Sequence, residues 1–191
     1  MFNIYEYLSK LSPILRENPE CVDDIANSLS NTQLKSKQWL VEELCKIYTK
    51  SNPKVLILGG WYGSYLVPML TDVGFDDIIL TDMDTRATNI AKQIHTCQTF
   101  VLDADTPTTQ FSPDIVINTS CEHMKTIGEA AVNNPDCLYV LQSCDNDNDP
   151  GHINVPTNTE DFLKKTGLSR VVFRGRQNLG HKNRFMVIGY K

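Results

Sequence analysis

The chain has 191 residues, 41% hydrophobic and 21% charged, with a formal net charge of −5 at pH 7. That length accommodates one domain with a modest extension, and a core that needs neither disulfides nor a metal to support it. The negative balance argues against broad attraction to nucleic acid, while the lack of any apolar run near the roughly 20 residues of a membrane span, or of a secretory start, predicts no membrane association.

The first fifty residues read as helical. Ile4, Tyr7, Leu8, Leu11, Ile14 and Leu15 recur at helical spacing, and Leu34, Trp39, Leu40, Leu44 and Ile47 repeat the pattern before Ser51-Asn52-Pro53 stops it. Residues 1–50 are therefore expected to form a helical cap on a second unit, residues 51–191. From Lys54 the rhythm changes. Val55-Leu56-Ile57-Leu58 is a short unbroken apolar run, as suits a strand covered on both faces. Four more such runs follow at 77–81, 99–102, 114–118 and 138–142, with room for helices at 64–73 and 85–95. Strands alternating with helices predict βαβ units, a parallel sheet and right-handed crossovers. Thr157-Asn158-Thr159-Glu160 has the form of a capping box opening a helix to about Thr166. Residues 168–176 and 184–190 then read as two strands joined by a turn-rich 177–183, an antiparallel pair at the sheet edge.

Six scattered cysteines with no C-x-x-C read as reduced, mostly buried thiols in a cytoplasmic setting, and no metal-ligand spacing is seen. After Asp161 there is no acidic residue, whereas Lys164, Lys165, Arg170, Arg174, Arg176, Lys182, Arg184 and Lys191 all follow. These are either solvated side chains of the strand pair or a basic edge near an anionic substrate.

Ligands of open α/β sheets bind outside the carboxyl ends of the strands, so the residues ending each strand carry the functional signal. The first strand runs into Gly59-Gly60-Trp61-Tyr62-Gly63, where glycines allow a sharp turn and amides at a helix start can face a ligand. The second ends at Asp82-Met83-Asp84, about 20 residues on, where Asp82 can accept from ribose hydroxyls and Asp84 suits a helix N-cap. The third ends in Asp103-Ala104-Asp105, an acid pair able to accept from an adenine amino group. The fourth ends in Asn118-Thr119-Ser120-Cys121-Glu122-His123, an unusually polar set to follow Ile115-Val116-Ile117.

In this combination the chain from Lys54 onward resembles the class I S-adenosylmethionine-dependent methyltransferases. The resemblance implies an α/β, Rossmann-like, seven-stranded and mostly parallel sheet with a terminal antiparallel strand pair and, here, an N-terminal helical extension. It implies S-adenosylmethionine as cofactor, held by Gly59, Gly60, Trp61, Tyr62, Gly63, Asp82, Met83, Asp103, Ala104, Asp105 and Asn118. Two departures stand out. The acid that the family carries a residue or two before the first glycine is Ile57 or Leu58 here, and the fourth motif lacks the Asn/Asp-Pro-Pro-Tyr of enzymes that methylate exocyclic base amines.

On that reading Asn118 orients a methyl acceptor, small molecule or nucleic acid, and Glu122 or His123 takes its proton, with histidine the better match to neutral pH. The alternative is an N-cap at Thr119 or Ser120 among incidental polar neighbours. The loop Asp145-Asn146-Asp147-Asn148-Asp149-Pro150-Gly151-His152 resembles a calcium loop but has its glycine one place late and Pro156 at the closing position, so it reads instead as a substrate-side loop with His152 as a contact. Lys37 and Trp39 could line the crevice if the cap covers it. Two other functions stay open: a nicotinamide-dependent oxidoreductase on a similar sheet, and a non-catalytic binding protein that keeps the fold.

Overall fold

The computed structural model describes residues 4–106, 110–127 and 136–191. Three helices open the chain: α1 (Ile4–Glu17), α2 (Val22–Ser28) and α3 (Asn31–Ile47). Seven strands follow, β1 (Val55–Leu58), β2 (Ile78–Asp82), β3 (Gln98–Val101), β4 (Ile115–Asn118), β5 (Leu138–Cys144), β6 (Arg170–Asn178) and β7 (Asn183–Tyr190). Among the described residues, α4 (Leu66–Asp72) and α5 (Thr85–Ile94) connect the first strands and α6 (Thr159–Thr166) precedes β6. The strands form one sheet in the order β3-β2-β1-β4-β5-β7-β6. β1 to β5 pair in parallel, while β7 runs antiparallel to both β5 and β6.

The period of two along each strand divides the core. Val55 and Ile57 of β1 point into one apolar layer with Leu40, Val41 and Leu44 of α3, and Leu56 and Leu58 into the other with Phe162 of α6. Tyr7, Leu11 and Ile14 of α1, spaced along one helical face, join Ile25 in covering Ala87, Ile90 and Ile94 of α5 and the ring of Tyr62. So α3 is a packing layer of the sheet, and α1 with α2 extends that side over α5. Among the described residues no helix is long and apolar enough to cross a membrane.

Local details differ from the sequence reading in three places. The cap of α6 is Asn158, whose side chain accepts from the amides of Glu160 and Asp161, while Thr157 lies outside and its amide donates to Asp161 Oδ2 at 2.9 Å. A short polar side chain two residues before Glu160 reaches these amides better than one three before. β5 runs on to Cys144 because β7 continues to pair beside it as far as Arg184. The turn between β6 and β7 is correspondingly tighter, with the Leu179 amide bonded to the Lys182 carbonyl.

His95, just after α5, ties the helical layer to the sheet. Its Nε2 lies 2.9 Å from the Tyr62 carbonyl, which can only accept, so Nε2 carries the hydrogen. Burial disfavours the charged ring and pulls its pKa down to about 4, against the carbonyl bond that favours it. Between that value and the unfolded value of about 6.5 the unfolded chain binds the extra proton, so stability rises with pH across the window and is lost as pH falls through it. His95→Gln, which keeps a donor, should flatten this part of the pH dependence in urea unfolding; a slope equal to that of the parent would show that His95 is not held neutral.

Candidate functional site

A cavity of about 810 Å³ opens at the carboxyl ends of the parallel strands, where β1 and β4 lie side by side and the connections leave in opposite directions. Its near wall is the loop after β1. Gly59, Trp61 and Gly63 all have positive φ, at 58°, 53° and 64°. For Trp61 that is uncommon and is held in place from outside: its amide donates to Asp82 Oδ2 at 2.7 Å. The Gly60 amide bonds the Thr81 carbonyl, and Ser120 Oγ bonds the Gly59 carbonyl at 3.2 Å. The glycines are required by protein neighbours. A Cβ on Gly60 would collide with Leu80 and Ile57, and one on Gly63 would meet Val67, Leu80 and His95.

Asp82 does line the cavity, but its carboxylate is also structural, because Oδ1 accepts from the Asp84 amide at 2.9 Å. Asp84 caps α5 as its position suggests, accepting from Arg86 and Ala87. Met83 follows at the rim, 72% exposed. Asp103 faces the cavity with one oxygen used by the Asp105 amide. Asp105 is less free: Lys125 N, Thr126 N and Thr126 Oγ1 all bond its carboxylate, and although burial works against it these bonds hold its pKa below the usual range. Tyr62 and Ala104 contribute to the wall, though both side chains are buried.

Asn118 corrects the sequence reading. It is 0% exposed; its Oδ1 accepts from the Ser120 amide, its Nδ2 points at Met124 Sδ, and it is not among the residues lining the cavity. A buried amide must find partners, and here the turn after β4 supplies them. Asn118 therefore shapes that turn from behind and does not meet a ligand in this arrangement.

The far wall joins four segments. Cys121–His123 form a short 3-10 turn after β4, and Glu122 there is 4% exposed. Glu122 Oε1 accepts from Arg184 Nη1 at 2.8 Å and lies 3.3 Å from Cys144 Sγ. Arg184, also 4% exposed, donates further to Ser36 Oγ of α3 and to the Thr119 carbonyl. Gln142 of β5 closes the ring by exchanging two bonds with Ser36. Burial alone would raise the Glu122 pKa, but the adjacent guanidinium outweighs it and holds the carboxylate below its ordinary value. Glu122 is thus a poor proton acceptor near neutral pH. Its Oε2 is buried without a hydrogen-bond partner among the described residues.

The histidines differ. Backbone amides of Ile153 and Asn154 bond the Glu122 carbonyl, which folds the loop after β5 against the turn after β4 and sets His152 beside His123, ring centroids 4.5 Å apart. His123 Nδ1 meets the Gly151 carbonyl at 3.0 Å and His152 Nδ1 meets the Asn146 carbonyl. A carbonyl accepts only, so in each neutral ring Nδ1 carries the hydrogen and Nε2 keeps a lone pair.

Two acids of the loop after β5 already have partners in the fold. Asp145 accepts from Asn183, and Asp149 accepts from the Gly151 amide. Glu122, Cys144 and His152 bring three metal-ligand atoms within 4.8 Å of one another. Arg184 already neutralises the carboxylate, however, and burial together with Glu122 raises the Cys144 pKa, so the group is satisfied by a guanidinium and a thiol proton. Burial and Glu122 also push Cys121 well up, away from any nucleophilic role.

Lys37 lines the cavity, but Trp39 turns away, stacking edge-on with Phe173 beneath Gly175. Arg184 is a site residue that the composition of the basic tail conceals. The available signal was its position: a charged residue opening the otherwise apolar run Phe185-Met186-Val187-Ile188 must be paired if the strand is buried. The rest of the tail is largely occupied at the surface, as with Arg174 on Glu160 and Arg170 over the Tyr190 ring.

No protein-family model matches the chain, and no curated protein matches it. Solved structures do. A protein of Pyrococcus horikoshii OT3 superposes with a TM-score of 0.62 at 18% identity, over 85% of this chain and 92% of that one. A TehB-like S-adenosylmethionine-dependent methyltransferase of Corynebacterium glutamicum gives 0.60 at 15%, over 91% and 100%. Magnesium protoporphyrin IX methyltransferase of Synechocystis, solved with bound S-adenosylhomocysteine, gives 0.59 at 14%, over 82% and 83%. At these identities the likeness is one of fold: the seven-stranded Rossmann-like sheet of these methyltransferases.

Breaking the buried pair should be costly from either side. Glu122→Gln strands Arg184 and Arg184→Met strands Glu122, so each should lose about 3–5 kcal/mol of stability in urea unfolding. The double variant should lose clearly less than their sum; strict additivity would show that the two charges do not answer each other.

Proposed function

We propose that the chain is an S-adenosylmethionine-dependent methyltransferase. The observation that carries this is the order of groups around one cavity: the Gly59–Gly63 loop after β1, Asp82 at the end of β2 and Asp103 after β3, in a fold that superposes on those of methyltransferases, one of them solved with the demethylated cofactor. The terminal antiparallel β7 counts against the nicotinamide alternative, whose sheets continue in parallel with the order 3-2-1-4-5-6.

In this reading Asp82 would accept from the ribose hydroxyls, Met83 and Asp103 would hold the adenine, and the backbone of the Gly59–Gly63 loop would border the methionine portion. Leu58 is buried in the core, so an acid must come from elsewhere for the methionine ammonium; Asp24 of α2, on the same cavity wall, is the group we assign. The far wall would be left to the acceptor. When bound, the cofactor supplies an electrophilic methyl carbon for in-line displacement, a reaction accelerated chiefly by positioning. Nε2 of the exposed His123 takes the proton from the acceptor, while His152, whose Nε2 lies 3.8 Å from Asp149 Oδ2, packs against its ring. The His123 lone pair favours catalysis over a purely binding role.

Calorimetry is expected to show micromolar binding of S-adenosylhomocysteine and none of NAD. Asp103→Asn should weaken that binding by about 1–2 kcal/mol through one lost charged acceptor. Asp82→Ala should weaken it more, since it also frees the Trp61 amide and loosens the loop. Absent heat with S-adenosylhomocysteine would overturn the cofactor assignment.

A further inference from the structure

On the far wall three cations, Lys37, Lys182 and Arg184, face two carboxylates, Glu122 and Asp149. Glu122 is neutralised by Arg184, with Nη1 to Oε1 at 2.8 Å. That leaves Lys37 of α3 and Lys182 beside β7, both half-buried and both lining the cavity, in a protein whose formal net charge is −5. Among the described residues neither side chain has a hydrogen bond or ion pair, although surface cations such as Lys10, Lys46 and Arg174 do find carboxylates. Arg184 uses three of its five N–H groups on Ser36, Glu122 and Thr119, and it too borders the cavity. A half-buried ammonium without a partner is unfavourable unless something occupies the space before it.

We propose that the methyl acceptor is a small organic anion whose carboxylate or phosphate is bound between Lys37 and Lys182, with the remaining Arg184 N–H groups at hand. This rests on the methyltransferase reading and adds the acceptor's chemical class to it. Three observations bear on it. The cations come from α3 and the start of β7, so they converge on one space and do not form a surface stripe. They stand on the same wall as His123 and His152, so an anion held there brings the rest of the molecule to the Nε2 lone pair of His123. Third, burial first, and then repulsion from Arg184 and Lys182, drives the Lys37 pKa well down, with Glu122 offsetting it only in part. Lys37 therefore holds its proton weakly until an anion arrives, and binding should draw a proton onto it. The other charged or titratable groups around these cations are His123, His152 and Asp149, the last exposed and bonded to the Gly151 amide, and, beside Lys182, His181 and Asp145, whose carboxylate accepts from Asn183. A nucleic-acid strand is the less favoured occupant, because Lys37 lies inside the cavity and the overall charge repels a polyanion.

The test titrates inorganic phosphate and acetate, against chloride at equal ionic strength, into the protein with and without saturating S-adenosylhomocysteine. Melting temperature and calorimetry in two buffers of different ionisation enthalpy are the readouts. Phosphate or acetate should stabilise the protein beyond chloride with uptake of protons. Lys37→Met should weaken the anion about tenfold or more and abolish the uptake, while S-adenosylhomocysteine affinity stays as in the parent. Lys37→Arg should restore anion affinity without the proton uptake, which separates recognition from a merely structural effect of the substitution. Anion binding that is no better than chloride, or that survives Lys37→Met unchanged, overturns the proposal; so does a short single-stranded oligonucleotide that competes with S-adenosylhomocysteine-loaded protein far better than phosphate. Failure of S-adenosylhomocysteine to bind overturns the underlying reading instead, and the anion series on the free protein then still decides whether the basic wall is an anion site.

Discussion

A guanidinium taken out of water must be answered from several directions, and Arg184 is answered by the segment after β4 and by α3, the latter braced by β5. Its carboxylate partner lies in the turn after β4, a carbonyl partner just before it, and a hydroxyl on α3, which is itself bonded to Gln142 of β5. Desolvating two charges is expensive, and the attraction between them offsets this only when geometry is good and the remaining donors are satisfied. The consequence is positional. With Arg184 fixed, Glu122 cannot move, and with Glu122 fixed its carbonyl holds the amides of Ile153 and Asn154. The two histidines are placed through that chain of bonds, though neither touches Arg184.

The near wall depends on a different constraint. Backbone angles that ordinary residues avoid recur three times in five residues after β1, and the loop is tied to β2 through Thr81 and Asp82 and to the turn after β4 through Ser120. One carboxylate, Asp82, thereby holds the loop while also bordering the space the loop encloses. The near wall is set by backbone conformation and the far wall by buried charge, and Ser120 joins the two.

Much of this was legible in the sequence because it follows from local pattern. Unbroken apolar runs such as Val55-Leu56-Ile57-Leu58 announce strands covered on both faces, and the spacing of Asp82 from the glycines places it at the next strand's tip. What failed to show was pairing. Asn118 and Asp105 are the right residue types in the right places, yet their polar atoms are taken by Ser120, Met124, Lys125 and Thr126. Nor does composition reveal that Arg184 turns inward from the basic tail to meet a glutamate 62 positions earlier. Side-chain partners across such distances are decided by register and sheet order, which periodicity does not encode.

The bond from Arg184 to Ser36 spans 148 residues. Contacts of that range carry the largest loop-closure entropy and are rewarded only after the intervening strands have assembled. In kinetic terms, the parallel strands and their loop can gather while Glu122 is still hydrated, and the far wall closes near the end of folding. Substitution at Arg184 would accordingly speed unfolding and leave the folding rate nearly unchanged, whereas an equal effect on both rates would place the pair in the nucleus.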